Sequence, residues 1–232
     1  MPETFTLLSV IIPVYNEKTT ISEVIEKVSA VALPIEKEII VVDDGSTDGT
    51  VEILRSNSVK VANTYLTPIN IGKGAAVRIG LTLAKGEIIL IQDADLELDP
   101  NEYERLLAPI LTGETSVVYG SRFLGENPVA PLRRFANYFL TSVTNVLFRT
   151  NLTDMETAYK VFTSEVAGNL SLAANRFEIE PEITAQIARR GFHIREVPIS
   201  YRPRTKFEGK KISWKDGFKA LWTLLKYRFS KN

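Results

Sequence analysis

There is no cysteine among the 232 residues, and there is a single histidine, His193. The first absence excludes disulfides, thiolate metal sites and cysteine nucleophiles; the second excludes a zinc site built from several imidazoles. Any metal ion used by this chain must be held by oxygen. Nor is there a run of eighteen apolar residues, the length that reads as a membrane-spanning helix. The opening stretch MPETFTLLSVIIP carries Glu3, lacks a basic leader and is broken by Pro13, so it does not read as a secretory signal. A cytoplasmic chain is the expectation. Hydrophobic residues at 44% and charged residues at 24% are ordinary for a globular protein, which sets aside disorder, collagen and coiled coil.

Net charge is also lacking, since 28 Lys/Arg balance 28 Asp/Glu. The balance is uneven along the chain. From Arg189 to Asn232 there are thirteen Lys/Arg against three Asp/Glu, and elsewhere fifteen against twenty-five. Such asymmetry suits an anionic partner for the C-terminal part, whether nucleic acid, phosphoester ligand or membrane headgroup, and a separate use of carboxylates before it.

What is present is a repeating pattern. Leu8 to Ile12 is a short apolar, β-branched run that ends at a proline and reads as a buried strand. Thr20 with Glu23 fits a capping box, and Ile21, Val24, Ile25 and Val28 fall on one face of a helix running to about Ala32. A strand is predicted over Glu38 to Val42, a helix from Thr50 to Arg55, a strand near Lys60 to Tyr65 and a helix from Lys73 to Ala84. A strand at Glu87 to Gln92, a helix opened by Asp99 and Pro100, a strand at Ser116 to Gly120 and an apolar helix from Leu132 to Phe148 follow. A last strand, Phe192 to Val197, gives His193 a structural role. Strands apolar throughout and alternating with helices predict an α/β fold with a mainly parallel sheet covered on both faces, in a single domain with no second core. Ligands then belong at the carboxyl ends of the strands, after Ile12, Val42 and Ile91.

Those ends carry Tyr15-Asn16-Glu17, Asp43-Asp44 and Asp93-Ala94-Asp95. If the last segment is extended, Asp93 and Asp95 point to one side and into a common pocket. Two hard oxygen ligands suit Mg²⁺ or Mn²⁺, which take their remaining ligands from water and a substrate's phosphates. Asp-x-Asp also occurs as a capped or solvated turn, and Asp-Asp-Gly-Ser is a good turn sequence in its own right. It is their shared position that favours chemistry. Other phosphate motifs fail: Pro13-Val14-Tyr15 replaces the glycine-rich turn of dinucleotide sites, and Gly72-Lys73-Gly74 lacks the flanks of a Walker loop. Glu97 stands where haloacid-dehalogenase-like phosphatases place a hydroxyl residue.

Six motifs in order carry a family resemblance: Pro13-Val14-Tyr15-Asn16-Glu17; Val41 through Thr50 (VVDDGSTDGT); Asn70-Ile71-Gly72-Lys73-Gly74; Asp93-Ala94-Asp95; Gly120-Ser121-Arg122; and Glu208-Gly209-Lys210-Lys211-Ile212-Ser213. Over nearly its whole length the sequence resembles the family 2 inverting glycosyltransferases, and within them the polyprenyl-phosphate (dolichyl-phosphate) mannose and glucose synthases. The resemblance implies a GT-A fold, with residues 1–120 as a nucleotide-sugar-binding half and 121–232 as an acceptor half ending in a basic amphipathic segment. It implies that Pro13, Tyr15, Glu17, Val42 and Asp44 hold the nucleoside, and that Asp93, Ala94 and Asp95 hold Mg²⁺ or Mn²⁺ and the donor diphosphate. Arg122, Arg204 and Lys210 match positions that contact donor or acceptor phosphates, and Asp93, Asp95 and Arg122 form the implied catalytic set. Arg134 aligns best with the residue that binds the acceptor's phosphate, with Arg133 close behind. Asp154 to Lys160 resembles a further family motif, expected near the acceptor.

The implied reaction is inverting transfer of a hexose from a nucleotide sugar, GDP-mannose somewhat favoured over UDP-glucose, to a polyprenyl phosphate at the cytoplasmic membrane face. The bulky helix with Phe135, Tyr138, Phe139, Val143, Val146, Leu147 and Phe148 is then either core or an interfacial helix beside the lipid. The tail mixes Trp214, Phe218, Leu221, Trp222, Leu225 and Phe229 with Lys215, Lys219, Lys226, Arg228 and Lys231, as membrane-surface helices do. Peripheral membrane association follows, with or without a separate membrane-anchor subunit; nucleic acid is not an expected partner. Two alternatives stay open. One is a hydroxyl acceptor, for which Asp154, Glu178, Glu180 or Glu182 would serve as base; the other is a non-catalytic nucleotide-sugar-binding subunit.

Overall fold

The computed structural model describes residues 5–56, 63–204 and 214–230. In chain order the elements begin β1 (Leu7–Val14), α1 (Ile21–Ala30), β2 (Glu36–Asp43), α2 (Thr50–Arg55), β3 (Asn63–Leu66), α3 (Lys73–Leu83) and β4 (Ile88–Ile91). A short 3-10 turn at Pro100–Glu102, capped by Asp99, leads into α4 (Tyr103–Leu111). Then come β5 (Val117–Ser121), α5 (Pro131–Phe148), β6 (Lys160–Thr163), α6 (Ser164–Gly168), α7 (Ile179–Arg189), β7 (Ile194–Pro198) and α8 (Trp214–Phe229). Lys210 and the rest of the basic motif around it lie outside the described residues.

One seven-stranded sheet runs through both halves in the order β3-β2-β1-β4-β6-β5-β7. All neighbours are parallel except β6, which is antiparallel to both β4 and β5. β1 continues through Pro13, which the sequence marks as a strand end. The amide of Asp44 donates to Val14 O at 2.8 Å, so Val14 faces β2 and Pro13 turns its nitrogen the other way, beyond the end of β4, whose pairing stops at Ile11↔Ile91. No ladder bond is lost there.

Alternate residues of β1 feed two cores. Leu8, Val10 and Ile12 pack with Val24 and Val28 of α1 and Leu106 of α4, whereas Ile11 faces Val77 of α3 and Ile183 of α7. Gly80 permits the close approach of α3, because a Cβ there would meet Ile11 Cγ2 at 2.3 Å. A separate small cluster, Leu140, Met155, Ala185, Ala220 and Leu224, joins α5, α7 and α8, where only one core was expected. The reason is α7, which is buried continuously from Ile179 to Ile187 and so offers a second packing face.

α1 buries Ile21, Val24, Ile25 and Val28 as its spacing requires, but the capping box does not form. Thr20 has helical backbone angles (φ −118°, ψ −28°), and its hydroxyl donates instead to the carbonyl of Ala94 at 2.8 Å. A cap needs an extended residue whose oxygen faces the first amides. Here the threonine ties α1 to the loop after β4.

Candidate active site

The carboxyl ends of β1, β2 and β4 open into a cavity of about 620 Å³. Pro13, Tyr15, Glu17, Asp44, Asp93, Ala94, Asp95, Arg122, Arg133 and Arg204 all line it. The strand-end clusters therefore converge. Within them, Asp43 and Asn16 turn away: Asp43 Oδ2 accepts from the amide of Ser46 at 2.9 Å, and Asn16 Oδ1 from that of Thr47 at 2.8 Å. Val42 does not line the cavity; it is fully buried against Ile40 and Ala76.

Asp44 organises one wall. Its carboxylate accepts from the amides of Ile71 (2.8 Å) and Gly72 (2.7 Å) and from Asn70 Nδ2 (2.8 Å), which folds the 70–72 loop over the end of β2. Burial raises its pKa, against the lowering effect of those amides. Gly72 has φ +126°, and a Cβ there would lie 2.3 Å from Asn175 O, so only glycine lets the 174–175 loop close on the start of α3.

The segment after β4 is a turn, where an extended stretch was expected. Leu96 takes φ +59°, a left-handed conformation that a bulky residue adopts at a cost of about 1–3 kcal/mol and that clusters at functional sites. Asp93 and Asp95 nevertheless both face the cavity. Asp93 Oδ1 pairs with Lys73 Nζ at 2.7 Å, and Lys73 pairs on its other side with Glu180 at 2.9 Å. Glu180 in turn holds the buried Lys160 at 2.6 Å. Burial alone would favour neutral amines; for Lys73 the adjacent Asp93 and Glu180 outweigh it and hold the charge. Asp95 Oδ1 accepts from the amide of Glu97 at 3.1 Å, and its Oδ2 lies 3.7 Å from Arg204 Nη2. Arg204 also spans to Glu17 Oε2 at 2.7 Å, linking the first and fourth strand ends.

The donor set fits a hard divalent cation. Each of the two carboxylates is one-quarter exposed, and neither Asp93 Oδ2 nor Asp95 Oδ2 accepts a hydrogen bond among the described residues. No group of three or more His, Cys, Asp or Glu residues suited to a metal is found among the described residues. A coordination shell here would need oxygens from outside the protein, as Mg²⁺ and Mn²⁺ commonly draw from phosphates and water.

The far side of the cavity is built by β5 and the helices. Arg122, just after β5, forms a bidentate pair with the fully buried Asp154, both contacts 2.7 Å, and its amide donates to the same carboxylate at 3.0 Å. Burial opposes the guanidinium's charge, but Asp154 overcomes it and raises the pKa. The group also lies 5.4 Å from the Tyr201 ring centre. Arg133 lines the cavity from α5, whereas Arg134 is exposed and sits over Phe123 at 5.8 Å, so the geometry prefers the second-ranked of the two arginines. α8 closes this end with Asp216, Gly217 and Ala220. On these same two helices Phe135 is 68%, Tyr138 70% and Trp222 70% exposed, while Val143, Leu147 and Phe148 pack inward. None of the described helices is long and apolar enough to cross a membrane.

Sequence reasoning missed Lys73 and Glu156, both in the cavity wall. Lys73 stood inside a quoted motif without a role; the segment 154–160 was flagged, but nothing in it singled out Glu156. The nominated bases Asp154, Glu180 and Glu182 are committed, the last to the amides of Ala173 and Ala174 and to Tyr227. Glu178 is not among the lining residues.

Comparison with known proteins agrees with this architecture. The sequence model of the family described as Glycosyl transferase family 2 matches residues 9–170. The uncharacterized protein MJ1222 of Methanocaldococcus jannaschii is 30% identical over 226 residues, covering 93% of this chain and 90% of that protein. A dolichyl-phosphate beta-glucosyltransferase, ALG5A of Trichomonas vaginalis, is 27% identical, covering 94% of this chain and 72% of the relative. Among solved structures, glucosyl-3-phosphoglycerate synthase from Mycobacterium tuberculosis, in complex with Mn²⁺, UDP and phosphoglyceric acid, superposes with a TM-score of 0.77 at 22% identity. That match covers 98% of this chain and 80% of the other, and supports the GT-A fold.

Proposed function

The chain belongs to glycosyl transferase family 2, and from that premise we propose that it transfers a hexose, with inversion, from a nucleoside-diphosphate sugar to the phosphate of a polyprenyl lipid at the cytoplasmic membrane face. One observation carries the reading. A single cavity joins two carboxylates at the strand ends to Arg133 on a helix whose outer face exposes large apolar side chains.

At the donor end, Pro13, Tyr15, Glu17 and Asp44 receive the nucleoside. Asp93, with Ala94 beside it, and Asp95 would hold Mg²⁺ or Mn²⁺, which would supply charge neutralisation for the departing diphosphate. Arg204 sits beside them and adds a fixed cation where negative charge develops. Lys210 is assigned to the same task on its motif alone. At the acceptor end, Arg133 and Arg122 attract and orient the lipid phosphate, and the exposed faces of α5 and α8 lie in the headgroup layer beside the prenyl chain.

A phosphate acceptor suits the observed carboxylates. A monophosphate with a second pKa near about 6 is already largely ionised at neutral pH, so its oxygen attacks the anomeric carbon without a base. Orientation, charge neutralisation and exclusion of water are what remain for the protein to supply. Of the nominated bases, Asp154 and Glu180 are tied into ion pairs, and Glu178 and Glu182 are not among the lining residues, so none of the four is placed to serve a hydroxyl acceptor.

The test is incubation with radiolabelled UDP-glucose or GDP-mannose, Mg²⁺ or Mn²⁺ and a short polyprenyl phosphate, followed by organic extraction. Label in the lipid phase from one donor is the expected result. The sequence resemblance somewhat favours mannose, whereas ALG5A is named a glucosyltransferase, so both donors are required. Label on a soluble saccharide instead would establish the hydroxyl-acceptor reading, and nucleotide-sugar binding without turnover the non-catalytic one.

A further inference from the structure

Glu156 is a carboxylate in the cavity wall that no part of this scheme uses. Its neighbours in sequence face inward: Asp154 holds Arg122, and Thr157 donates to the carbonyl of Gly120 at 2.6 Å. Glu156 turns to the cavity. Its Oε1 is shut off from solvent and has no hydrogen-bond partner among the described residues. Buried polar atoms in native proteins are nearly always paired, so an unpaired carboxylate oxygen in a ligand-sized cavity asks for a ligand.

Four charged groups act on Glu156, arranged as two ion pairs. Lys160 from β6 is bonded to Glu180 from α7 at 2.6 Å, and Arg122 from the loop after β5 is bonded to Asp154 at 2.7 Å. Arg133 from α5 and Asp216 from α8 line the same cavity. Lys160 and Arg122, the two cations that act on Glu156, each already hold another carboxylate. Burial, the largest influence, pushes its carboxyl up to about 7; Lys160 and Arg122 oppose the rise, while Glu180 and Asp154 add to it.

We propose that Glu156 meets the acceptor's phosphate as a neutral carboxylic acid, donating its proton in a hydrogen bond to a phosphate oxygen. This rests on the phosphate-acceptor reading and deepens it. Ionised, the same carboxyl would repel a phosphate dianion across a poorly screened gap; protonated, it becomes an O–H donor to the phosphate oxygen. The arrival of the dianion favours the proton further, so above pH 7 acceptor binding draws a proton from solvent. During transfer a second phosphate oxygen attacks the anomeric carbon, and the bond from that carbon to the leaving diphosphate breaks with its electron pair going to the diphosphate. The Glu156 proton is neither consumed nor moved to the sugar. Glu156 thereby favours a phosphomonoester over a neutral hydroxyl.

Acceptor KM measured from pH 7 to 9 tests this with E156Q and E156A. Glutamine is neutral at every pH and keeps a donor. Wild-type KM should rise up to about tenfold per pH unit above the carboxyl's pKa, whereas E156Q should show a flat profile and, at pH 9, a KM at least tenfold below wild type. E156A, lacking any donor, should raise KM throughout the range. If E156Q follows the wild-type profile, Glu156 is structural and the proposal fails. A hundredfold loss of kcat in E156Q with unchanged KM would instead make Glu156 a general base, which also overturns it. Should either variant fail to fold, calorimetry on the wild type at pH 8, in two buffers of different ionisation enthalpy, measures proton uptake on adding polyprenyl phosphate. Uptake approaching one proton supports the proposal and none refutes it. Failure of the parent reading has a different signature, the absence of label in the lipid phase with the wild type.

Discussion

Replacing Asp154 by asparagine probes the cavity wall where sequence position and tertiary contact are most tightly joined. The wild-type carboxylate accepts Arg122 Nε and Nη2 at 2.7 Å each, the Arg122 amide at 3.0 Å and Asn137 Nδ2 at 2.8 Å, with no exposure to water. D154N keeps the volume and removes the charge. One side of the amide now offers N–H groups to donors, and the guanidinium, 19% exposed, loses its counterion. Breaking a buried pair on one side costs about 3–5 kcal/mol. A protein of this size loses roughly 2–4 °C of melting temperature per kcal/mol, so a fall of about 6–20 °C is expected. Thermal and urea unfolding of D154N, R122M and the double variant measure it as a cycle. The double variant should be less destabilised than the sum of the singles by at least about 1 kcal/mol, because removing both charges spares the penalty of stranding one. Additive losses, or a D154N loss under about 1 kcal/mol, would show that the pair does not hold this wall.

Further outcomes are expected. Gly72→Ala should destabilise the fold by at least about 1–2 kcal/mol, since its φ of +126° disfavours a side chain and a Cβ would meet Asn175 O at 2.3 Å; unchanged urea unfolding would contradict the geometry. Glu156 has a folded pKa of about 7 against an ordinary 4.5, so the native state binds the extra proton between these values and stability falls as pH rises through that window. E156Q should therefore match wild type near pH 4 and exceed it by up to about 3 kcal/mol at pH 8, seen as a higher melting temperature only at the higher pH. Phe135→Ser with Trp222→Ser, both on exposed faces, should leave the melting temperature within about 2 °C and reduce co-sedimentation with anionic phosphatidylglycerol vesicles severalfold; unchanged sedimentation would remove α5 and α8 from the membrane surface.

The convergence of the strand ends was legible in sequence because parallel strands deliver their carboxyl ends to one edge, so Tyr15, Glu17, Asp44, Asp93 and Asp95 could be grouped without knowing any contact. What sequence could not supply was long-range pairing. Lys73 meets Asp93 and Glu180, 20 and 107 positions away, and nothing local announces either partner. Thr20 matched a capping box but found a carbonyl 74 residues on, and tertiary contact overrode the local rule. Arg133 and Arg134 differ by one helical step at the very start of α5, where periodicity has not yet fixed a face, and it is Arg133 that turns to the cavity. Val42 sits at a strand end but on the buried side, against Ala76.

The account depends on a divalent cation held jointly by Asp93, Asp95 and the donor's diphosphate. Electron paramagnetic resonance of Mn²⁺ tests it directly, by titrating protein into the ion with and without UDP or GDP and repeating the series with D95N. Asp95 is partly exposed, and its carboxylate takes one hydrogen bond, from the amide of Glu97, and one long ion pair, 3.7 Å from Arg204, so D95N should fold as wild type does. Sequestration of Mn²⁺ that requires the nucleoside diphosphate and is lost in D95N is the predicted result. Equal sequestration by D95N, or nucleotide binding indifferent to Mn²⁺ and to chelator, would contradict it.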